Sequence, residues 1–128
     1  MALWIVRHAK PLIASGVCYG ALDVAADTQH TLLVAHALAQ ALPLNCNVWV
    51  SPLRRCMQLA DALSDIRPEL NTQTDTRLRE MDFGTWEGVA WDAIPLAAMQ
   101  AWTDDFGAHR FGGVESANQV LARVTDMW

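Results

Sequence analysis

Two short apolar runs constrain this chain more than any other feature. They are "ALWIV" at residues 2–6 and "NVWVS" at 47–51, and each gives way to charged residues and then to a helical pattern. A run of about five residues suits a buried strand of a parallel sheet. It is far too short for a signal-peptide core or a membrane span, so no targeting segment is expected. Between the runs, Pro11, Gly16 and Gly20 mark a turn-rich stretch. Asp27 or Thr28 can cap a helix over about 28–42, with an apolar stripe of Leu32, Ala35, Leu38, Ala39 and Leu42, and Pro43 stops it. Ser51-Pro52 opens a second helix with Pro in its first turn, whose buried stripe should be Leu53, Met57, Ala60 and Leu63 or Ser64. An extended segment is expected near 70–74, a loop at "DFGTWEG", and helices over 92–103 and 115–127. Strand, helix, strand, helix with short connections is the order of an α/β fold with a mostly parallel sheet, expected as one domain over 1–128.

Composition narrows the function classes. At 52% hydrophobic and 18% charged residues the chain is globular. A net charge of −5 without any basic run argues against nucleic acid, although a few local arginines would suffice for an anionic small molecule. Cys18, Cys46 and Cys56 are odd in number and lack CxxC spacing. Free thiols in a reducing cytoplasm are therefore expected. No Walker motif or zinc-type spacing is present, and "DFG" comes without the other kinase elements.

Open α/β sheets gather reactive groups at the carboxyl ends of their strands. Arg7-His8 and Ser51-Pro52-Leu53-Arg54-Arg55 both fall there. A neutral imidazole can attack phosphorus when one ring nitrogen is held by a hydrogen bond that fixes the tautomer. Arginine suits the phosphoryl oxygens because its planar fork donates two parallel bonds and never loses its charge. Arg54 and Arg55 lie in the first turn of a helix, where the macrodipole disfavours cations by roughly 0.3–1 kcal/mol each. An anion bound at that helix start would compensate. Helical spacing puts the two on different faces, so one of them is expected to face the site. Glu80, Asp82 and Glu87 could protonate a leaving alkoxide. Glu80, flanked by Leu78, Met81 and Phe83, best fits a partly buried acid with a raised pKa. Of the other histidines, His30 and His36 are six apart on one helix, a poor spacing for a metal. His36 should be packed or half-exposed, and His109 has no strand before it. Trp86 and Trp91 could flank a substrate base.

"VRHAK", "SPLRRCMQLA", "RLREMDFGTWEG" and "GGVES", in this order and spacing, resemble successive motifs of the histidine phosphatase superfamily, also called phosphoglycerate mutase-like. The likeness runs from residue 3 to about 124. "CYGALD" together with "DFGTWEG" is most similar to the α-ribazole phosphatase branch. The resemblance implies a three-layer αβα fold with a mostly parallel sheet. It implies metal-independent phosphomonoester hydrolysis through a phosphohistidine, without cofactors, in the cytoplasm. By position it makes His8 the nucleophile, Arg7 and Arg55 the phosphate ligands, and Glu80 the acid. The substrate it implies is a small phosphorylated molecule, α-ribazole 5′-phosphate of cobalamin biosynthesis if the branch holds.

The chain departs from the pattern at His8-Ala9-Lys10, where the family usually has glycine and then Glu or Gln. Thr31 and Val34 stand where a glycine and a glutamine are common. The family also places a second histidine in its C-terminal part, after an apolar strand, and the sequence reaches Trp128 before one occurs. A C-terminally truncated domain is therefore expected, with unpaired strand edges that leave strand exchange between two copies, a homodimer, open. Two alternatives to hydrolysis remain: phosphoryl transfer of the mutase type, and binding of phosphate esters without turnover.

Overall fold

The computed structural model describes residues 2–128. They form two compact units. The first unit joins the residues up to Leu12 to Val24–Thr74. Its elements are α1 (Thr28–Ala41), β1 (Asn47–Val50), α2 (Arg54–Ile66) and β2 (Asn71–Thr74). The fold is α/β: β1 and β2 run parallel, Asn47 opposite Asn71 through Val50 opposite Thr74, and α2 is the crossover between them.

Local chemistry sets the bounds of these elements. Asp27 caps α1 by accepting the His30 N–H at 2.7 Å. At the other end Arg67, just past α2, donates to the carbonyls of Ala39, Leu42 and Pro43 at 2.8, 3.1 and 3.0 Å. A guanidinium there meets acceptors that the last turn of a helix cannot satisfy and opposes the dipole favourably. α1 packs on α2. The face α1 buries carries Thr31 and Ala35; Ala35 belongs to the expected stripe and Leu38 and Ala39 are half-buried, whereas Leu32 is about half exposed. α2 buries Arg55, Leu59, Ala60 and Leu63. It begins at Arg54, with Leu53 as its cap, so Pro52 lies outside the first turn in which it was expected.

The expectation of a buried strand at residues 2–6 fails. The segment forms no strand, and Leu3, Trp4, Ile5 and Val6 are exposed, Ile5 to 89%. A strand exists only by pairing, and among the described residues the sheet consists of β1 and β2. Apolar composition alone cannot tell a run covered on both faces from one that lacks partners.

The second unit comprises Ile13–Asp23 and Asp75–Trp128. It is built from single 3₁₀ turns at Thr76–Leu78, Gly84–Trp86 and Trp91–Ala93, with α3 (Leu96–Asp104) and α4 (Ala117–Met127). The helix expected at 92–103 is split. Pro95, which cannot donate within a helix, sits at the cap of α3 and separates it from the turn at Trp91. α4 starts with a reciprocal capping box between Ser116 and Gln119. The core is aromatic: fully buried Phe111 stacks on Trp102 with ring centroids 4.3 Å apart, and Phe83 meets it edge-on at 6.1 Å. Cys18 and Ile94 complete the buried cluster. No helix among the described residues is long and apolar enough to cross a membrane.

Candidate functional site

His8, Arg7 and Arg55 all lie in the first unit. The backbone after His8 is fixed tightly. Lys10 donates its N–H to His30 Nδ1 at 2.8 Å and accepts the Asp27 N–H at 2.8 Å, and Leu12 N–H reaches the Ala25 carbonyl at 2.8 Å. Pro11 and Ala26 form an antiparallel bridge. The carboxamide of Gln58 on α2 then holds Ala26 through both its N–H (2.7 Å) and its C=O (3.1 Å). Ala9 is buried within this frame. His8 itself is half-buried, with Nδ1 2.7 Å from the Ala9 carbonyl oxygen. A carbonyl only accepts, so Nδ1 carries the proton and the lone pair resides on Nε2.

Arg54 is exposed, whereas Arg55 is 1% exposed. The two faces expected from helical spacing are thus resolved, with Arg55 on the buried one. A guanidinium this deep is held only where acceptors or an anion surround it. Arg7 is exposed. His36, expected to be packed or half-exposed, is exposed as well, because α1 turns its Thr31–Ala35 face inward.

Glu80 lies in the second unit and is exposed, which corrects the expectation of a partly buried acid. Its neighbour Met81 takes the buried position, and Glu80 Oε1 accepts the Met81 N–H at 2.8 Å. Glu80 stands in the wall of a cleft of about 360 Å³ together with Thr76, Arg79 and Asp82. Glu115, Gln119 and Arg123 line it as well, and the apolar side chains in its lining are Ala21 and Val114. Arg123 pairs with Glu115 at 2.8 Å and also donates to the backbone oxygens of Arg77 (2.5 Å) and Glu80 (3.3 Å). Burial opposes ionisation of Glu115. The hydrogen bonds from Arg123 and from the Asp82 N–H, with the charges of Arg123 and Arg79, outweigh it and hold the carboxyl below its ordinary range.

The residue that sequence reasoning misjudged is Glu87, weighed there as an acid. Its carboxylate accepts four backbone N–H groups: Gly20 and Leu22 on Oε2 at 2.9 and 3.3 Å, Ala21 and Phe83 on Oε1 at 2.8 and 3.0 Å. It ties the "CYGALD" loop to the "DFGTWEG" loop. Gly20 is part of the same joint, since a Cβ there would lie 2.0 Å from the Met81 carbonyl oxygen. Burial, then the charge of Glu87, pushes the Cys18 thiol up to about 11, which suits an inert core thiol. Trp86 and Trp91 pack against Phe111 with ring centroids 6.1 and 6.2 Å away, and neither lines the cleft. The expected role beside a substrate base is therefore not what this cleft offers. His30 was also missed: its position on the first turn of α1 gave no sign that it would receive the Lys10 N–H.

The sequence pattern of the histidine phosphatase superfamily (branch 1) matches residues 3–128. This chain belongs to the histidine phosphatase superfamily. It is similar to the glucosyl-3-phosphoglycerate phosphatase of Mycolicibacterium vanbaalenii (strain PYR-1), with 34% identity over 105 residues, 77% of this chain and 45% of that protein. Among solved structures it is similar to a native mycobacterial glucosyl-3-phosphoglycerate phosphatase, with a TM-score of 0.75 at 29% identity over 94% of this chain and 58% of that one. The protein TTHB049 of Thermus thermophilus gives 0.75 at 25% identity over 95% of this chain and 68% of its own. The chain therefore spans about half the length of the curated relative it matches. The superfamily expected from the four motifs is the one found. The comparisons with named relatives point to glucosyl-3-phosphoglycerate phosphatases and do not single out the α-ribazole branch.

Proposed function

We propose that this histidine phosphatase chain hydrolyses phosphomonoesters through a phosphohistidine, without a metal ion. The observation that carries the reading is the 2.7 Å contact of His8 Nδ1 with a carbonyl oxygen, which leaves Nε2 as the nucleophile. In the first step Nε2 attacks phosphorus, the P–O bond to the alcohol breaks, and Glu80 gives its proton to the departing oxygen. Arg7 and Arg55 hold the phosphoryl oxygens, where charge builds in the transition state. In the second step water attacks phosphorus, the P–N bond breaks with its electrons returning to Nε2, and Glu80 takes back a proton.

Two leaving alcohols have support. The likeness of "CYGALD" and "DFGTWEG" supports α-ribazole 5′-phosphate, in assembly of the cobalamin nucleotide loop. The names of the matched relatives support a glucosylated phosphoglycerate. Free cysteines at 18, 46 and 56 suit a reducing cytoplasm. The test is phosphate release from both esters, with acid-labile, base-stable phosphate labelling of the protein. Label on wild type and none on His8→Ala, together with loss of turnover, supports the reading. Turnover that survives His8→Ala overturns it. Transfer of the label to a second hydroxyl instead of water would establish a mutase.

A further inference from the structure

The chain after His8 pairs with the entry to α1, and one bond of that pairing is made by a side chain in place of a backbone carbonyl. Residues 10–12 run antiparallel to 25–27: Lys10 accepts the Asp27 N–H at 2.8 Å, Leu12 donates to Ala25 at 2.8 Å, and Pro11 bridges Ala26. In such a pairing the Lys10 N–H would return to the Asp27 carbonyl. That carbonyl is committed to α1, where it accepts the Thr31 N–H at 3.0 Å and the Thr31 hydroxyl at 2.7 Å. Nδ1 of His30 accepts the Lys10 N–H instead, at 2.8 Å. The backbone of His30 is held in turn, its N–H donating to Asp27 Oδ1 at 2.7 Å.

The Lys10 N–H belongs to the same peptide unit as the Ala9 carbonyl, the group that His8 Nδ1 meets at 2.7 Å. This peptide is trans. It is planar, with its N–H and C=O pointing in opposite directions, so fixing one fixes the other. The two imidazoles therefore grip one rigid group from its two sides. They carry opposite tautomers: His8 has its proton on Nδ1, whereas His30, which accepts at Nδ1, has its proton on Nε2.

We propose that His30 is a positioning residue that sets the tautomer and aim of His8 through the Ala9–Lys10 peptide. The proposal rests on His8 being the nucleophile. The test compares wild type with His30→Ala, which has no acceptor, and His30→Asn, whose oxygen lies as many bonds from Cα as Nδ1 does. His30 is exposed, so both variants should unfold at nearly the wild-type denaturant concentration. Ring nitrogen-15 spectra of the wild type, taken where both rings are neutral, should show a bare Nδ1 on His30 and a bare Nε2 on His8. In His30→Ala the Lys10 amide should exchange faster with solvent and His8 should populate both tautomers. With p-nitrophenyl phosphate as substrate, kcat should fall about tenfold while KM changes by no more than about twofold. His30→Asn should restore the single His8 tautomer and most of kcat. A protonated Nδ1 on His30, a His8 tautomer or a kcat untouched by His30→Ala, or an Asn variant no better than Ala overturns the proposal. A His8 tautomer that depends on His30 in a wild type releasing no phosphate would sink the hydrolytic reading and leave the positioning role standing.

Discussion

The two units solve the problem of order by different means. The first is made of regular elements: two helices packed together and two parallel strands, with a buried set drawn mainly from small and aliphatic side chains such as Ala35, Leu59, Ala60 and Leu63. The second has little regular structure around Glu80. It is held by one aromatic cluster around Phe111 and by carboxylates that grip backbone N–H groups. Periodic elements tolerate local change because neighbouring turns repeat the same bonds. A loop clamped by one side chain has no such redundancy, so its stability should concentrate in few residues.

That contrast can be broken by experiment. Phe111→Ala removes the hub of the aromatic cluster and should cost about 3–5 kcal/mol in denaturant unfolding. Hydrogen exchange should place the loss in residues 13–23 and 75–128. Glu87→Ala strands four N–H groups and should cost roughly 2–4 kcal/mol. Glu87→Gln should recover part of it, since one amide oxygen still accepts. In the first unit Arg67→Ala takes three hydrogen bonds from the end of α1 and should cost about 1–2 kcal/mol, with fraying confined to that helix end. An Arg67→Ala loss as large as that of Glu87→Ala would erase the difference between the two units. Ser116→Ala removes the cap of α4 for about 1 kcal/mol. The smallest effect is acidic. The folded carboxyl of Glu115 titrates below its ordinary value, so its contribution is present above the unfolded pKa and is lost as pH falls through the folded one. Glu115→Gln should flatten that acid limb, read as midpoint denaturant concentration against pH.

The same contrast explains what could be read from the sequence. α1, β1, α2 and β2 were legible because Asp27, Pro43 and the apolar spacing act within a few residues of their effect. Helical geometry, which is local too, put Arg54 and Arg55 on different faces, and only the family resemblance chose Arg55. The four motifs, in order, carried the superfamily. Glu87 reaches back 67 residues to Gly20, Arg67 reaches 28 to Ala39, and His30 reaches 20 to Lys10; no local pattern announces such pairs. The exposed run at residues 3–6 failed for a related reason, since composition reports what a segment would bury and not whether anything lies beside it. Glu80 was placed in the right loop and at the wrong depth. Its apolar neighbours went inward, and by doing so they turned it out.

The peptide of Phe83 is seized from both ends. Glu87 takes its N–H at 3.0 Å, while Gly112, with φ at +86°, comes so near that a Cβ there would sit 1.8 Å from the Phe83 carbonyl oxygen. A methyl group added at Gly84 would likewise lie 2.1 Å from the Gly112 carbonyl oxygen, so an engineer varying this chain should leave Gly84 and Gly112 untouched. The adjustable parts are cleft side chains that hold none of these bonds, and libraries confined to Thr76 and Arg79 would vary that wall at little risk to the scaffold, whereas Gln119 is tied into the cap of α4.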